Sequence, residues 1–284
     1  MMHKISFPFP SIGKALFLAF LATAVVAAPA RADFYGYAEQ SLSNFNFTGV
    51  TTGTRSTGSS SSAVQSALPG GSEAHIAVED ALQSYVGPTG TRPAENTFTA
   101  VGLVNPNYVR GDALITPTYA INNVAEGYLI GAGQSSGSGA WSIAVPITLS
   151  ATGTVTLDFN YSNLIHILNS GTLPGSVTAS YAFDFSISRT GGGVLFDSSP
   201  DVVNASASLT SAGEIFVPVG GGPSAGTVSI TSTSLTAGTY EATLTGSERV
   251  FLNARAVPEP STLILLGLGG VGLMARRMRQ ISRV

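Results

Sequence analysis

Alternation of apolar and polar positions is the clearest signal along this chain of 284 residues. Apolar side chains recur at every second position in five runs, at 143–149, 155–161, 177–187, 240–244 and 250–254. A period of two places alternate side chains on opposite faces of a strand, and a polar second face is typical of half-buried antiparallel strands. Pro146 lacks a backbone donor, so its run is predicted to lie at a sheet edge.

Turn signals separate these runs. Residues 190–193 read Thr-Gly-Gly-Gly between the strand patterns 181–189 and 194–197, which predicts a hairpin. The stretch 235–240 is similar to the strand-end corner of immunoglobulin-like sandwiches, where a Tyr hydroxyl bonds the backbone a few residues upstream. The sequence therefore predicts an all-β fold, an antiparallel β-sandwich of immunoglobulin-like or jelly-roll-like type.

The first half of the chain is less regular. Residues 34–48 carry aromatic side chains and are interpreted as an opening strand pair. Residues 51–62 hold nine Ser or Thr in twelve positions, which predicts a mobile surface loop. A second polar loop is predicted at 134–139, and a short helix at 74–85.

The N-terminal residues have the pattern of a secretory signal peptide. A basic start (His3, Lys4 and Lys14) precedes an apolar run over 15–28. Ala30 and Ala32 then supply a small-x-small site. We expect residues 1–32 to be removed, with cleavage before Asp33.

The C-terminal residues have three parts. The segment Val257, Pro258, Glu259, Pro260 precedes an apolar run over 263–275, and the basic residues Arg276, Arg277 and Arg279 follow it. A helix of 13 residues is about 20 Å long, whereas a bilayer core is about 30 Å thick. We predict a short transmembrane helix over 261–275 that spans with local adjustment of the bilayer. The arginines keep that end in the cytoplasm and leave the preceding domain outside.

These three parts, in this order, resemble the PEP-CTERM sorting tail of bacterial proteins, here over 257–284. The resemblance implies export, recognition of Pro258, Glu259 and Pro260 by exosortase, removal of the apolar tail, and delivery to the cell surface or matrix. It also implies signal peptidase, a transient stay in the inner membrane, and an association with exopolysaccharide and biofilm. A shared tail implies no shared active site, so it assigns no catalytic residue.

The domain between the two ends, residues 33–256 (the ectodomain), has no Lys, Met or Cys. It holds six arginines and fifteen acidic residues, a net charge of −9. This charge argues against a nucleic-acid partner, and the lack of Cys excludes disulfides and thiolate metal sites. About 224 residues suffice for a sizeable apolar core.

Residues with catalytic or metal-binding chemistry are few. The two ectodomain histidines, His75 and His166, belong to no catalytic motif and are interpreted as surface residues, so we predict that the chain is not an enzyme. The pairs Glu79-Asp80 and Asp197/Asp201 offer calcium ligands, but no EF-hand loop accompanies them, so no cofactor is predicted. The tripeptide 110–112, Arg-Gly-Asp, is interpreted as a turn entering a strand.

Trp141, the only tryptophan, is predicted to lie in the core. The alternative is an exposed glycan platform, joined by the tyrosines at 35, 37, 108, 119 and 128. The sequence thus predicts an exported surface or matrix protein that is structural or adhesive. A carbohydrate-binding module and a secreted hydrolase without a recognisable motif are the alternatives.

Overall fold

Two antiparallel sheets lie face to face, and inward-pointing apolar side chains fill the space between them. The computed structural model describes residues 33–54, 59–66, 72–78, 81–87, 107–115, 120–171, 174–219 and 223–255. These residues belong to one compact unit, Arg31–Ala256. The predicted signal peptide, sorting tail and membrane helix lie outside the described residues. The prediction of an antiparallel β-sandwich is confirmed.

The described residues form fifteen strands and a single 3-10 turn at Asp201–Val203. In chain order the strands are β1 (Asp33–Thr48), β2 (Thr51–Thr52), β3 (Ser59–Ser66), β4 (Ser72–Val78), β5 (Ala81–Gly87), β6 (Tyr108–Ile115), β7 (Ile121–Ile130), β8 (Gly133–Leu149), β9 (Thr156–Asn169), β10 (Gly175–Arg189), β11 (Val194–Ser198), β12 (Ala205–Leu209), β13 (Gly213–Val217), β14 (Ser224–Thr231) and β15 (Gly238–Ala254).

Sheet A has the strand order β13-β9-β1-β7-β6-β5-β4, and β14 also pairs with β9. Sheet B has the order β11-β10-β15-β8-β2, with β12 also on β10 and β3 also on β8. The longest strands are central in each sheet, where they pair on both sides. Most neighbours in the sheets are distant in sequence, so the fold depends on long-range pairing.

The strand predictions of the second half are confirmed. The five alternating runs lie in β8, β9, β10 and β15, apart from Val155, which immediately precedes β9. The runs 240–244 and 250–254 are parts of one strand, because Gly246 and Glu248 continue the inward positions between them.

Both predicted turns are also confirmed. At the β10–β11 hairpin, Gly192 N donates to the Arg189 carbonyl at 2.7 Å, and Gly191 adopts a positive φ of 73°. At the tyrosine corner, the Tyr240 hydroxyl donates to the Thr236 carbonyl at 2.6 Å.

Four predictions of irregular or helical structure are wrong. Residues of the predicted helix 74–85 lie in the antiparallel strands β4 and β5, where pairing with β6 outweighs a weak helical pattern. The predicted loop 51–62 contributes β2 and part of β3, which pair with β8. The predicted loop 134–139 lies within β8, and the tripeptide 110–112 lies inside β6. Polar composition marked 51–62 and 134–139 as loops, but β8 pairs with β15 on one side and with β2 and β3 on the other.

Pro146 is not on an edge strand, because β8 pairs with β15 on one side and with β2 and β3 on the other. Its carbonyl accepts from Gly53 N at 2.8 Å. The amide and carbonyl of one residue face the same neighbour in an antiparallel ladder, so the missing donor of Pro146 faces the gap between β2 and β3. The ladder with β15 therefore loses no hydrogen bond.

Glycines bring the two sheets into backbone contact where β6 crosses β8. A Cβ at Gly137 would overlap the Arg110 carbonyl oxygen, and a Cβ at Gly139 would overlap that of Asp112. A Cβ at Gly111 would overlap the carbonyl oxygen of Ser138 in the same way. The two glycines of 134–139, the segment that was predicted as a loop, therefore help to set the distance between the sheets at this end of the sandwich.

Candidate functional site

The outer face of sheet B is rich in hydroxyl groups. Inward positions of β8, β10 and β15 carry the core, so the alternate positions face away from it. Thirteen of these outward positions are Ser or Thr, and all are half-buried or exposed. We call them the hydroxyl face: Ser136, Ser138, Ser142, Thr148, Ser176, Thr178, Ser180, Ser186, Ser188, Thr239, Thr243, Thr245 and Ser247.

A shallow depression of about 320 Å³ interrupts the hydroxyl face and is called the sheet B trough. Three small residues, Ala140, Ala182 and Gly246, line it from adjacent strands. The hydroxyl-bearing residues Thr245 and Ser247 line it together with polar residues near β11. A patch of small apolar groups with hydroxyls around it can accommodate a flat ligand with an apolar face and a polar edge.

A pair of carboxylates lies at one side of the sheet B trough. Ser199 Oγ donates to Asp184 Oδ1 at 2.6 Å, and Asp184 lines the trough. Partial desolvation and the neighbouring Asp184 carboxylate raise the pKa of Asp197. The predicted partner of Asp197 was Asp201, but the structure places Asp184 beside it instead, because the two lie on the paired strands β10 and β11. Within the described residues, no cluster of three or more His, Asp or Glu side chains is arranged to hold a metal ion.

The outer face of sheet A holds a buried polar cluster near the start of β1. Arg110 forms an ion pair with Glu126, and both side chains are at most 2% exposed. The Tyr35 hydroxyl donates to Glu126 Oε1 at 2.6 Å. Burial raises the pKa of the Glu126 carboxyl, and the Arg110 charge opposes this. Burial, together with the Glu126 charge, also raises the pKa of Tyr35 well above its ordinary value.

His166 on β9 belongs to the edge of this cluster, so its interpretation as a surface residue is wrong. It is 5% exposed, and Nε2 lies 2.8 Å from Glu214 Oε1. Its ring stacks on Phe216 at 4.1 Å between centroids. Desolvation by burial lowers the pKa of His166, and the Glu214 carboxylate opposes this. A hydrolase would need such a pairing with an acid, and that alternative stays an untested prediction; the side chain of His75 lies outside the described residues.

Trp141 points inward from β8 and is 3% exposed. Its indole packs against Phe183 and lies across Gly246, where a Cβ would overlap it. The tyrosines proposed to join it on a glycan platform are buried as well, at most 1% exposed for Tyr35, Tyr37, Tyr108 and Tyr128; Tyr119 lies outside the described residues. The core position expected for Trp141 is therefore the one observed, and this tyrosine set forms no exposed platform.

The C-terminal residues indicate where the protein is delivered. The family model for the PEP-CTERM protein-sorting motif matches residues 256–280. The chain carries a PEP-CTERM sorting motif. The match includes the Val257, Pro258, Glu259, Pro260 segment and the arginines at 276, 277 and 279. This motif marks an exported, exosortase-sorted protein of the cell surface.

No curated protein matches this PEP-CTERM protein in sequence. A structure described as TmCBM61 in complex with beta-1,4-galactotriose is similar at 11% identity and a TM-score of 0.10. The alignment covers 39% of this chain and 66% of the other, just under two thirds of that structure's length. A likeness at this TM-score establishes neither fold nor function. Among the described residues, no helix has the length and apolar character to cross a membrane.

Sequence reasoning missed most of the residues that now define the candidate site. Asp184 and Ser199 gave no motif, because they meet only when β10 pairs with β11. Glu126 and Arg110 likewise meet through the pairing of β6 with β7. The one signal in the sequence was the alternation itself, since Ser and Thr occupy the polar phase of β8, β10 and β15.

Proposed function

We propose that this PEP-CTERM protein is a non-enzymatic component of the extracellular matrix that adheres to polysaccharide through the hydroxyl face of sheet B. The observation that carries the proposal is this continuous face, with the sheet B trough inside it. The sorting motif supports the location, because it is the motif of an exported, cell-surface protein.

The chemistry of the face favours a neutral polysaccharide. Hydroxyl groups donate and accept hydrogen bonds, as sugar hydroxyls do. The small residues of the sheet B trough offer a surface for the apolar side of a sugar ring. A net charge of −9 on the ectodomain disfavours a polyanionic glycan. Exposed hydroxyls are hydrated, so each contact is weak, and adhesion would gain strength from many copies on one surface.

We also propose the route by which the domain reaches that surface. Signal peptidase cleaves before Asp33, and the 261–275 helix holds the precursor in the inner membrane. Exosortase then recognises Pro258, Glu259 and Pro260 and removes the tail. No catalytic residue and no cofactor are assigned to the mature domain, and calcium at the acidic pairs is not part of this proposal.

The test is the retention of the exported protein on the neutral exopolysaccharide isolated from the cells that produce it. Ala182→Arg and Ser247→Arg would fill the sheet B trough from two outward positions, so we expect retention to fall at least tenfold. Ser229→Arg is the matched control, since Ser229 is an exposed outward position on β14 of sheet A. Equal retention of all three variants would contradict the proposed face, whereas equal loss would point to charge alone.

A further inference from the structure

A layer of polar side chains crosses the core between its two largest apolar clusters. On sheet A, Gln40 is in register with Asn123 on one side and Asn163 on the other. On sheet B, Glu248 is in register with Gly139 and Tyr181. Both rows occupy inward positions of their strands, so they face the space between the sheets. We call Gln40, Asn123, Asn163, Tyr181 and Glu248 the inter-sheet polar layer.

The layer is buried and its hydrogen bonds are incomplete. Glu248 is 1% exposed, and the three amide side chains are 0% exposed. Neither carboxyl oxygen of Glu248 has a hydrogen-bond partner in the described part of the chain, and neither do the two amide atoms of Asn163. Unsatisfied buried polar groups are rare in folded proteins and need an explanation.

Two of the amides have fixed orientations. Gln40 Nε2 donates to the Val203 carbonyl at 3.0 Å, which leaves Oε1 as its unpaired atom. Asn123 Oδ1 accepts from Leu114 N at 3.2 Å, which leaves Nδ2 unpaired. The layer therefore offers the free NH₂ group of Asn123 next to Glu248, and at least one free amide oxygen that needs a donor.

No basic side chain faces Glu248 from the described elements packed against it. Its neighbours are Gly139 from β8, Tyr181 from β10 and the Asn123 amide of sheet A. Arg249 points outward from β15 and is exposed, and Arg110 lies on the other face of sheet A with Glu126. A carboxylate at this position would be a buried charge without a counter-charge, which is among the least favourable groups in a core.

We propose that Glu248 is a neutral carboxylic acid in the folded domain, and that its proton donates across the inter-sheet polar layer to a free amide oxygen. One carboxyl oxygen then accepts from Asn123 Nδ2, while the other carries the proton toward Gln40 Oε1 or Asn163 Oδ1. Both sheets take part in these bonds, so the packing of one sheet on the other depends on a single proton. The proposal is independent of the polysaccharide function.

The electrostatics agree with this geometry. Burial raises the pKa of Glu248 well above its ordinary value of 4.5, and the Asn123 amide and the Glu248 backbone N–H oppose the shift only in part. Burial also raises the pKa of Tyr181, the other titratable side chain of the layer, so it stays neutral. A raised pKa in the folded state means that stability is complete below pH 4.5 and is lost as the pH rises toward the folded-state pKa.

This dependence makes the exported domain sensitive to alkali. An exported protein meets the pH of its surroundings rather than that of the cytoplasm. The loss of the Glu248 proton would leave a charge between the sheets and loosen their contact. The inter-sheet polar layer is thus a pH-sensitive element built into the fold.

The test begins with the infrared spectrum of the exported protein, labelled with carboxyl-¹³C glutamate. We expect a band of protonated carboxylic acid at neutral pH that shifts with the label and is lost from Glu248→Gln. The loss of this band with rising pH should share its midpoint with the loss of stability. Glu241→Gln, at an exposed outward position of the same strand, should leave the band unchanged.

The second readout is the unfolding equilibrium as a function of pH. Between pH 4.5 and the folded-state pKa, the folding constant of the wild type should fall about tenfold per pH unit from this proton, and Glu248→Gln should remove that slope. The Gln variant should be the more stable protein above neutral pH.

Three outcomes would overturn the proposal. The first is a wild-type spectrum without the acid band at neutral pH, which needs no variant to fold. The second is a Glu248→Gln protein that is less stable than the wild type at high pH or does not fold, because a neutral side chain of the same shape should suffice. The third is stabilisation of a wild type without the acid band by sodium or calcium chloride, with no such stabilisation of Glu248→Gln. This result would assign the carboxylate to a bound cation.

Discussion

The Arg110–Glu126 pair shows how strongly a single contact can affect stability when it is removed from water. Both side chains are buried on the outer face of sheet A, and the Tyr35 hydroxyl donates to the carboxylate. A buried ion pair adds little net stability, but the removal of one partner leaves an uncompensated charge.

We therefore expect Glu126→Gln to lower the free energy of unfolding by about 3 kcal/mol, the low end of the range for broken buried pairs. Urea unfolding at neutral pH measures this difference. Glu241→Gln is the control, because Glu241 is exposed and should change stability by less than about 0.5 kcal/mol. A loss of less than about 1 kcal/mol for Glu126→Gln would show that the pair is hydrated in solution.

The tyrosine corner gives a smaller effect at the same scale. Tyr240→Phe removes the bond to the Thr236 carbonyl but keeps the buried ring, so it should cost about 1 kcal/mol. The melting temperature of Tyr161→Phe, whose hydroxyl makes no hydrogen bond to the described residues, serves for comparison. An identical melting temperature for both variants would mean that the corner adds no stability.

Among the strands, the close crossing of β6 and β8 depends on glycines, which have no Cβ atom. Gly137→Ala places a Cβ on the Arg110 carbonyl oxygen, which neither backbone can avoid without moving the sheets apart. We expect a loss of about 2 kcal/mol, in the range of overpacked cores. Gly193→Ala is the matched control, since nothing lies near the position of its Cβ. A Gly137→Ala protein with an unchanged urea midpoint would contradict the backbone contact.

The same elements show how far the sequence predicts the fold. Alternation identified β9, β10 and β15 and the polar phase of sheet B, because half-buried strands must alternate. It failed at 134–139, where inward glycines replace apolar side chains. The sequence does not distinguish a glycine that packs against a carbonyl from a glycine in a loop, because the difference lies in the partner strand.

The candidate residues were harder to predict than the strands. Trp141 follows from its place in the inward phase, whereas His166 was assigned to the surface because a lone polar residue is usually exposed. Its burial depends on Glu214 and Phe216, which come from β13 nearly 50 positions later. Glu248 breaks the apolar phase of β15, as Asn163 breaks that of β9, and these breaks were the sequence signals of the inter-sheet polar layer.

Taken as a whole molecule, the chain combines an acidic, cysteine-free sandwich with a sorting motif. The sequence alone indicated the sorting motif, because the motif is a local pattern that requires no partner strand. The function that we propose for the sandwich rests on a face that forms only after folding.

We infer that the sorting tail delivers this domain to the cell surface. The most direct measurement is the intact mass and the cellular location of the mature protein, with and without exosortase. We expect a wild-type species that begins at Asp33, ends within Val257–Pro260 and lies outside the cell, and a mutant species that keeps its tail in the inner membrane. A protein that ends at Val284 in both strains would contradict delivery by the sorting tail and leave the domain as a membrane-anchored sandwich.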